Sequence, residues 1–171
     1  ALFRLMGFAP VAKHKTKAIT VYRQGDINYL VNEQSGTHGV DFVARHGPCA
    51  PSMAFRVVDA KQAYDRALSL GAEPADATSD QKTLDVPAIK GIGGSLLYFV
   101  GRYGAKGSAY DSEFEWLSEK NPQPEGAGLF YLDHLTHNVH RGRMDVWTGF
   151  YEKLFNFRQI RFFDIEGRAS G

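Results

Sequence analysis

One cysteine, Cys49, stands in a chain of 171 residues. That scarcity excludes an internal disulfide and a thiolate zinc cluster. A surplus of charge is missing too. Twenty basic residues against nineteen acidic ones leave a formal charge of +1, which supplies no electrostatic pull toward nucleic acid or an anionic membrane. No apolar run approaches the ~20 residues that a membrane-spanning helix requires. The opening Ala1-Leu2-Phe3-Arg4-Leu5-Met6-Gly7-Phe8 lacks the charged segment, long apolar segment and cleavage site of a signal peptide. With these classes set aside, a cytoplasmic protein is the plain reading. What is plentiful is core material: 43% of residues are apolar and 13% aromatic, which argues against disorder.

A unit repeats along the chain. Three helix-like stretches end alike, at Gly7, Gly71 and Asn156, residue types that tolerate the left-handed backbone just past a helix end. In the middle stretch Ala60, Ala63, Tyr64, Ala67 and Leu68 recur at helical spacing behind Asp59, a natural cap. In the last, Trp147, Phe150, Tyr151 and Leu154 do the same. Strand candidates precede the second and third helices, at residues 52–57 and 132–139. Others follow the first two helix ends, at 11–17, 18–22, 27–31, 84–89 and 95–100, with turns at 23–26 and 91–94. The pattern is strand, helix, then two or three strands, an α+β module with helix ends 64 and 85 residues apart, read from positions 7, 71 and 156. Residues 101–128, rich in Gly, Ser, Pro and charge, read as a boundary before the third unit. The first helix starts without a cap, and the strand pattern Ile160-Arg161-Phe162-Phe163-Asp164-Ile165 has nothing left to pair with. The expectation is therefore a fragment.

His134, His137 and His140 fall at three-residue intervals. On a strand His137 takes the face opposite the other two, and six residues separate His134 from His140 by ~20 Å. A metal with ~2 Å bonds cannot bridge them, so the stretch donates at most one ligand to any site. Period selects His134: Thr136 and Asn138 share its face, small polar groups suited to a cavity, while Tyr131, Leu135 and Val139 lie opposite. The alternative is a hydrogen-bonded barrel histidine, and the pattern leaves it open. Lys90-Gly91-Ile92-Gly93-Gly94 leads into a strand, whereas a phosphate loop must open a helix, so a hairpin turn is expected. Lys13, Lys15 and Lys17 read as a solvated strand face. Cys49, three residues from His46, has no third group nearby to orient a nucleophile pair.

Several stretches, in order along the chain, resemble the 4-hydroxyphenylpyruvate dioxygenases, a family of the vicinal-oxygen-chelate fold. They are Tyr22-Arg23-Gln24-Gly25-Asp26-Ile27-Asn28, His46-Gly47-Pro48 with Met53-Ala54-Phe55-Arg56-Val57, and Pro87-Ala88-Ile89-Lys90-Gly91-Ile92-Gly93-Gly94. Two more are Asp133-His134-Leu135-Thr136-His137-Asn138-Val139 with Arg141-Gly142-Arg143-Met144, and Phe150-Tyr151-Glu152-Lys153-Leu154-Phe155-Asn156-Phe157. The resemblance implies repeated βαβββ modules forming half-barrels of mixed sheet. Residues 1–125 would be an N-terminal non-catalytic domain and 126–171 the beginning of a catalytic one. It implies Fe(II) held by two histidines and a glutamate. His134 matches the first histidine, the other two donors lie beyond Gly171, and Glu166 is not at the matching carboxylate position. Thr136 would line the cavity, and no catalytic residue is implied beyond the metal ligand. Aligning residues 52–57 with 134–139 places Ser52 where His134 stands, a poor iron ligand that suits an iron-free first half. The implied activity is decarboxylation of 4-hydroxyphenylpyruvate with O₂, ring hydroxylation and side-chain migration to homogentisate in tyrosine catabolism. The fragment alone is expected to be inactive, and the whole protein to be a homo-oligomer, dimer or tetramer. Rival readings are a hydroxymandelate synthase, a dioxygenase-like domain behind a sugar-acid dehydratase barrel, and a non-enzymatic binding or dimerisation module.

Overall fold

A computed structural model describes residues 2–161. A short helix, α1 (Leu2–Leu5), leads into three antiparallel strands, β1 (Ala9–His14), β2 (Ile19–Gln24) and β3 (Ile27–Asn32). Helix α2 (His38–His46) then carries the chain to β4 (Ser52–Arg56), which precedes helix α3 (Ala60–Ser69). Strands β5 (Ala88–Lys90), β6 (Leu96–Val100) and β7 (Phe114–Trp116) complete the second unit, and helix α4 (Met144–Phe155) follows. The sequence order β4-α3-β5-β6-β7 is one full βαβββ module. The segment α1-β1-β2-β3 is the same unit without its leading strand.

The helices form where cap and period place them. The Asp59 carboxylate accepts the Gln62 N–H at 2.8 Å, satisfying one of the free donors at the start of α3. Gly7, Gly71 and Asn156 all take positive φ (87°, 89° and 57°). The sheets are ordered β3-β2-β1-β7 and β4-β6-β5. In the second, β4 runs parallel to β6, with Ser52 opposite Leu96 and Arg56 opposite Val100. Val11, Ala12, Ile19, Val21 and Phe114 of the first sheet meet Leu84, Ala88, Leu96 and Tyr98 of the second in a buried core. On the outer face of the second sheet Met53, Phe55, Ile89, Leu97 and Phe99 pack under α3 and α4 through Ala67, Phe150, Leu154 and Phe155. Arg66 on α3 donates through Nη1 to the carbonyl of Leu154 at 2.9 Å, a cation at the negative end of α4. On the outer face of the first sheet Phe3 of α1 stacks on Tyr22 and Tyr29, with centroids 5.6 and 5.0 Å apart.

Several expectations are corrected. Residues 101–128 are more than a boundary, because Phe114–Trp116 pairs antiparallel with Ala12–His14 and gives the first sheet its fourth strand. Helix α2 carries no strong sequence signal; of its residues only Phe42 is buried. Lys13 and Lys15 are exposed, as expected, and Lys17 is half-buried; the two lysines after β1 also reach distant carbonyls. Lys15 donates to the Ser112 carbonyl at 2.7 Å, and Lys17 donates to those of Ser79 and Lys82 at 2.7 and 3.0 Å. The turn between β5 and β6 joins antiparallel strands, as the hairpin expectation has it, and is built as a 3-10 turn, Ile92–Gly94, with Gly93 at φ 62°. The strand pattern at 160–165 and Glu166 fall largely outside the described residues; Ile160 and Arg161 are within them and lie in no strand.

Residues 121–130 cross back over the first sheet, and one amide holds them there. The Gln24 side chain, fully buried, accepts the N–H groups of Ala127 and Leu129 through Oε1 at 2.6 and 3.0 Å. Its Nε2 donates to the Met6 carbonyl at 2.9 Å. Gly126 (φ 67°) lies so close that a Cβ there would collide with the Gln24 side chain, and a Cβ on Gly7 would meet Ala127 at 2.6 Å. Replacing Gln24 by Met keeps the volume but strands three backbone groups. We expect Gln24→Met to lower unfolding free energy by about 3 kcal/mol, read from urea denaturation; a change under about 0.5 kcal/mol, typical of an indifferent surface site, would contradict the clamp.

Candidate functional site

The stretch proposed to carry the metal ligand leaves the Gln24 clamp and runs to α4. Its first anchor is a single backbone bond, Asp26 N–H to the Phe130 carbonyl at 2.9 Å. From there residues 129–140 have no regular structure, so the expected strand at 132–139 is not formed. Alternation of side chains tells which way each residue points along an extended chain. It supplies none of the backbone partners that a strand requires, and among the described residues no strand pairs with this stretch.

His137 turns toward α4: the Tyr151 hydroxyl lies 3.2 Å from its Nδ1, with ring centroids 5.8 Å apart. Burial raises the Tyr151 phenol to about 12 and lowers the His137 imidazole. Both shifts favour neutral groups, so Tyr151 donates its O–H and His137 accepts. The His134 side chain is 74% exposed, and its Nδ1 lies 2.8 Å from Oδ2 of Asp133. A carboxylate only accepts, so Nδ1 donates and Nε2 is the nitrogen turned away from Asp133, the orientation that a neighbouring carboxylate gives a metal-binding imidazole. Thr136 is exposed as well. Neither residue lines a cavity formed by the described residues. Among the described residues no three His, Cys, Asp or Glu side chains come together in a metal-holding group. The donors present therefore do not by themselves fit Fe(II), and no reaction step through iron follows from them. Ser52, the residue aligned with His134, starts β4 opposite Leu96.

The lowered His137 pKa makes the docking of this stretch on α4 sensitive to acid. A base whose folded pKa is depressed stabilises the fold above its unfolded value, about 6.5. It loses that contribution as pH falls through the folded value. Protonation also removes the acceptor for Tyr151. We expect the urea midpoint to fall below pH 6.5 more steeply in the parent than in His137→Gln, where the two pH profiles are compared between pH 7.5 and 5; superimposable profiles would contradict the assignment.

Comparison with known proteins follows this geometry. Residues 1–115 match the family model described as hydroxyphenylpyruvate dioxygenase, HPPD, N-terminal. A 4-hydroxyphenylpyruvate dioxygenase of Pseudomonas sp. (strain P.J. 874) is 51% identical over 170 residues, covering 99% of this chain and 48% of that protein. One from Pseudomonas aeruginosa is 48% identical over 170 residues, covering 99% and 47%. A solved xylose isomerase-like TIM barrel/4-hydroxyphenylpyruvate dioxygenase fusion protein superposes with a TM-score of 0.76 at 34% identity, over 90% of this chain and 24% of that one. The chain thus spans about half the length of the curated dioxygenases it matches. No helix among the described residues is long and apolar enough to cross a membrane. Paired βαβββ modules of mixed sheet agree with the vicinal-oxygen-chelate fold, and the chain belongs to the hydroxyphenylpyruvate dioxygenase family through that family's N-terminal domain.

Proposed function

We propose that this chain is part of an Fe(II)-dependent 4-hydroxyphenylpyruvate dioxygenase of tyrosine catabolism, with residues 1–125 as its non-catalytic domain and 126–171 as the beginning of its iron-binding one. The observation that carries the reading is likeness without a break. About half of all positions are identical to two proteins of that name across 99% of the chain, which includes the Asp133–Arg143 stretch beyond the family model's end at residue 115. Identity to the barrel-fused relative is lower, 34%, which favours the free-standing dioxygenase.

In this reading His134 is the first of three iron ligands. The second histidine and the glutamate come from the half of the relatives that this chain does not match, and Thr136 lines the cavity that this half closes. The complete protein converts 4-hydroxyphenylpyruvate and O₂ to homogentisate and CO₂, both oxygen atoms of O₂ being retained in the products. It does so in the cytoplasm as a homo-oligomer. What the chain itself contributes is an oriented imidazole: Asp133 lies 2.8 Å from Nδ1, which leaves Nε2 as the nitrogen free to meet a metal.

A fusion of this chain to the unmatched half of the Pseudomonas aeruginosa relative tests the proposal. We expect it to retain about one Fe(II) per chain after dialysis, as a complete facial triad does, and to form homogentisate. In the same fusion His134→Ala should lose the metal and at least ~10³-fold of turnover, the scale on which metal-centred catalysis contributes. Homogentisate formed at the parent rate by the His134→Ala fusion would overturn the assignment, and 4-hydroxymandelate as product would move it to the synthase.

A further inference from the structure

Four consecutive residues of the first unit take hold of the segment that leads to His134. Strands β2 and β3 are joined by a two-residue turn, Gly25-Asp26, between the paired Gln24 and Ile27. Arg23, 5% exposed, donates through Nη1 to Asn121 Oδ1 at 2.7 Å and to the Pro122 carbonyl at 3.0 Å. Gln24 accepts the N–H groups of Ala127 and Leu129. Asp26 donates its N–H to the Phe130 carbonyl at 2.9 Å. Gly25 (φ 53°) lies against Phe130, where a Cβ would stand 2.5 Å from the Phe130 Cα. Only a hydrogen fits there.

The turn is braced on its own account. Nε of Arg23 donates to Asn28 Oδ1 at 2.7 Å, and Nδ2 of Asn28 donates to the Asp26 carbonyl at 3.1 Å. Arg23 and Gln24 are buried, so releasing the segment would strand polar groups away from water. The contacts also run in chain order: Arg23 takes residues 121 and 122, Gln24 takes 127 and 129, and the turn takes 130. Contacts in that order set a register. His134 comes four residues after the last of them, within ~14 Å of extended chain. Three residues further on, His137 meets Tyr151 of α4. His134 is thus carried on a short span between two anchors, one on the first sheet and one on α4.

We propose that Arg23, Gln24, Gly25 and Asp26 are positioning residues for His134: the β2–β3 turn seats residues 121–130 and thereby fixes where the span carrying that imidazole starts. The role of His134 rests on the dioxygenase reading; the seat is a property of this chain. The non-catalytic domain then serves the site through geometry, by denying the span the freedom to slide along the first sheet. Such a constraint matters to a reaction, because a displacement of ~1 Å costs on the order of 10²-fold in rate.

Pulsed dipolar spectroscopy on the full chain tests the seat without metal or turnover. One spin label goes on Cys49, the single cysteine, and one on a Leu132→Cys substitution; both positions are exposed. Gly25→Ala drives a methyl into Phe130, and Gln24→Met removes the acceptor for residues 127 and 129. We expect each to displace or broaden the label distance relative to the parent. Leu96→Ala opens a cavity in the core between the sheets and destabilises the fold without touching the segment. It should keep the parent distance, which separates positioning from stability. In the fusion to the unmatched half of the Pseudomonas aeruginosa relative, Gly25→Ala should lower kcat on the order of 10²-fold with KM little changed. Parent distances in both Gly25→Ala and Gln24→Met, or an equal shift in Leu96→Ala, would overturn the seat. Parent kcat for Gly25→Ala in an active fusion would overturn its role at His134. A parent fusion that forms no homogentisate would remove the dioxygenase reading and that role with it, while the distances still decide the seat.

Discussion

Three residue pairs, Ala12 with Trp116, Lys13 with Glu115 and His14 with Phe114, carry the last strand of the second module across to the edge of the first sheet. Without that crossing, each sheet would have to bury the inner core alone. With it, Phe114 enters the shared core beside Val11 and Tyr98 and packs edge-on against His14 at 4.9 Å. The neighbouring residue strengthens the joint. Glu113 accepts the Asp85 N–H at 2.9 Å and reaches to 3.5 Å from His14 Nε2. The opposite nitrogen, Nδ1, accepts the N–H groups of Thr16 and Lys17 at 3.1 Å each, so the ring proton lies on Nε2, toward the carboxylate. One short strand therefore joins backbone pairing, apolar burial and a fixed histidine tautomer.

Elements stabilised locally were legible in the sequence. Asp59 announces α3, Asn156 ends α4, and the apolar spacing of each names the buried face that the structure uses. The first three strands were legible to within a few residues. What was not legible depends on distant partners. Phe114-Glu115-Trp116 is too short and too flanked by charge to announce a strand, and it becomes one only because β1 offers a free edge. The reverse holds for 132–139. Its period is that of a strand, yet no strand among the described residues pairs with it, and a strand pattern without a partner stays irregular. Likewise, the lysines after β1 looked idle because the carbonyls they reach, at Ser79, Lys82 and Ser112, lie 62 to 97 residues away.

The candidate site was partly legible for the same reason. Chemistry picked out one histidine of three by asking what a strand could present; the structure leaves His134 exposed beside Asp133 and sets His137 against Tyr151. The Asp133 contact, adjacent in sequence, could have been anticipated; the Tyr151 contact, fourteen positions on, required knowledge of where α4 docks.

Helix α4 has a further consequence through what it covers. Phe155 lies on Phe55 and Phe99, with centroids 4.5 and 5.8 Å away, yet the only chain that tethers the helix to the rest is the irregular, exposed run of residues 129–143. Cleavage in that run would leave the helix held by packing and by the Arg66 contact alone. Its departure would turn the outer face of the second sheet into a bare aromatic surface, the kind of patch through which folded chains associate with one another. The tether thus governs whether that face stays covered.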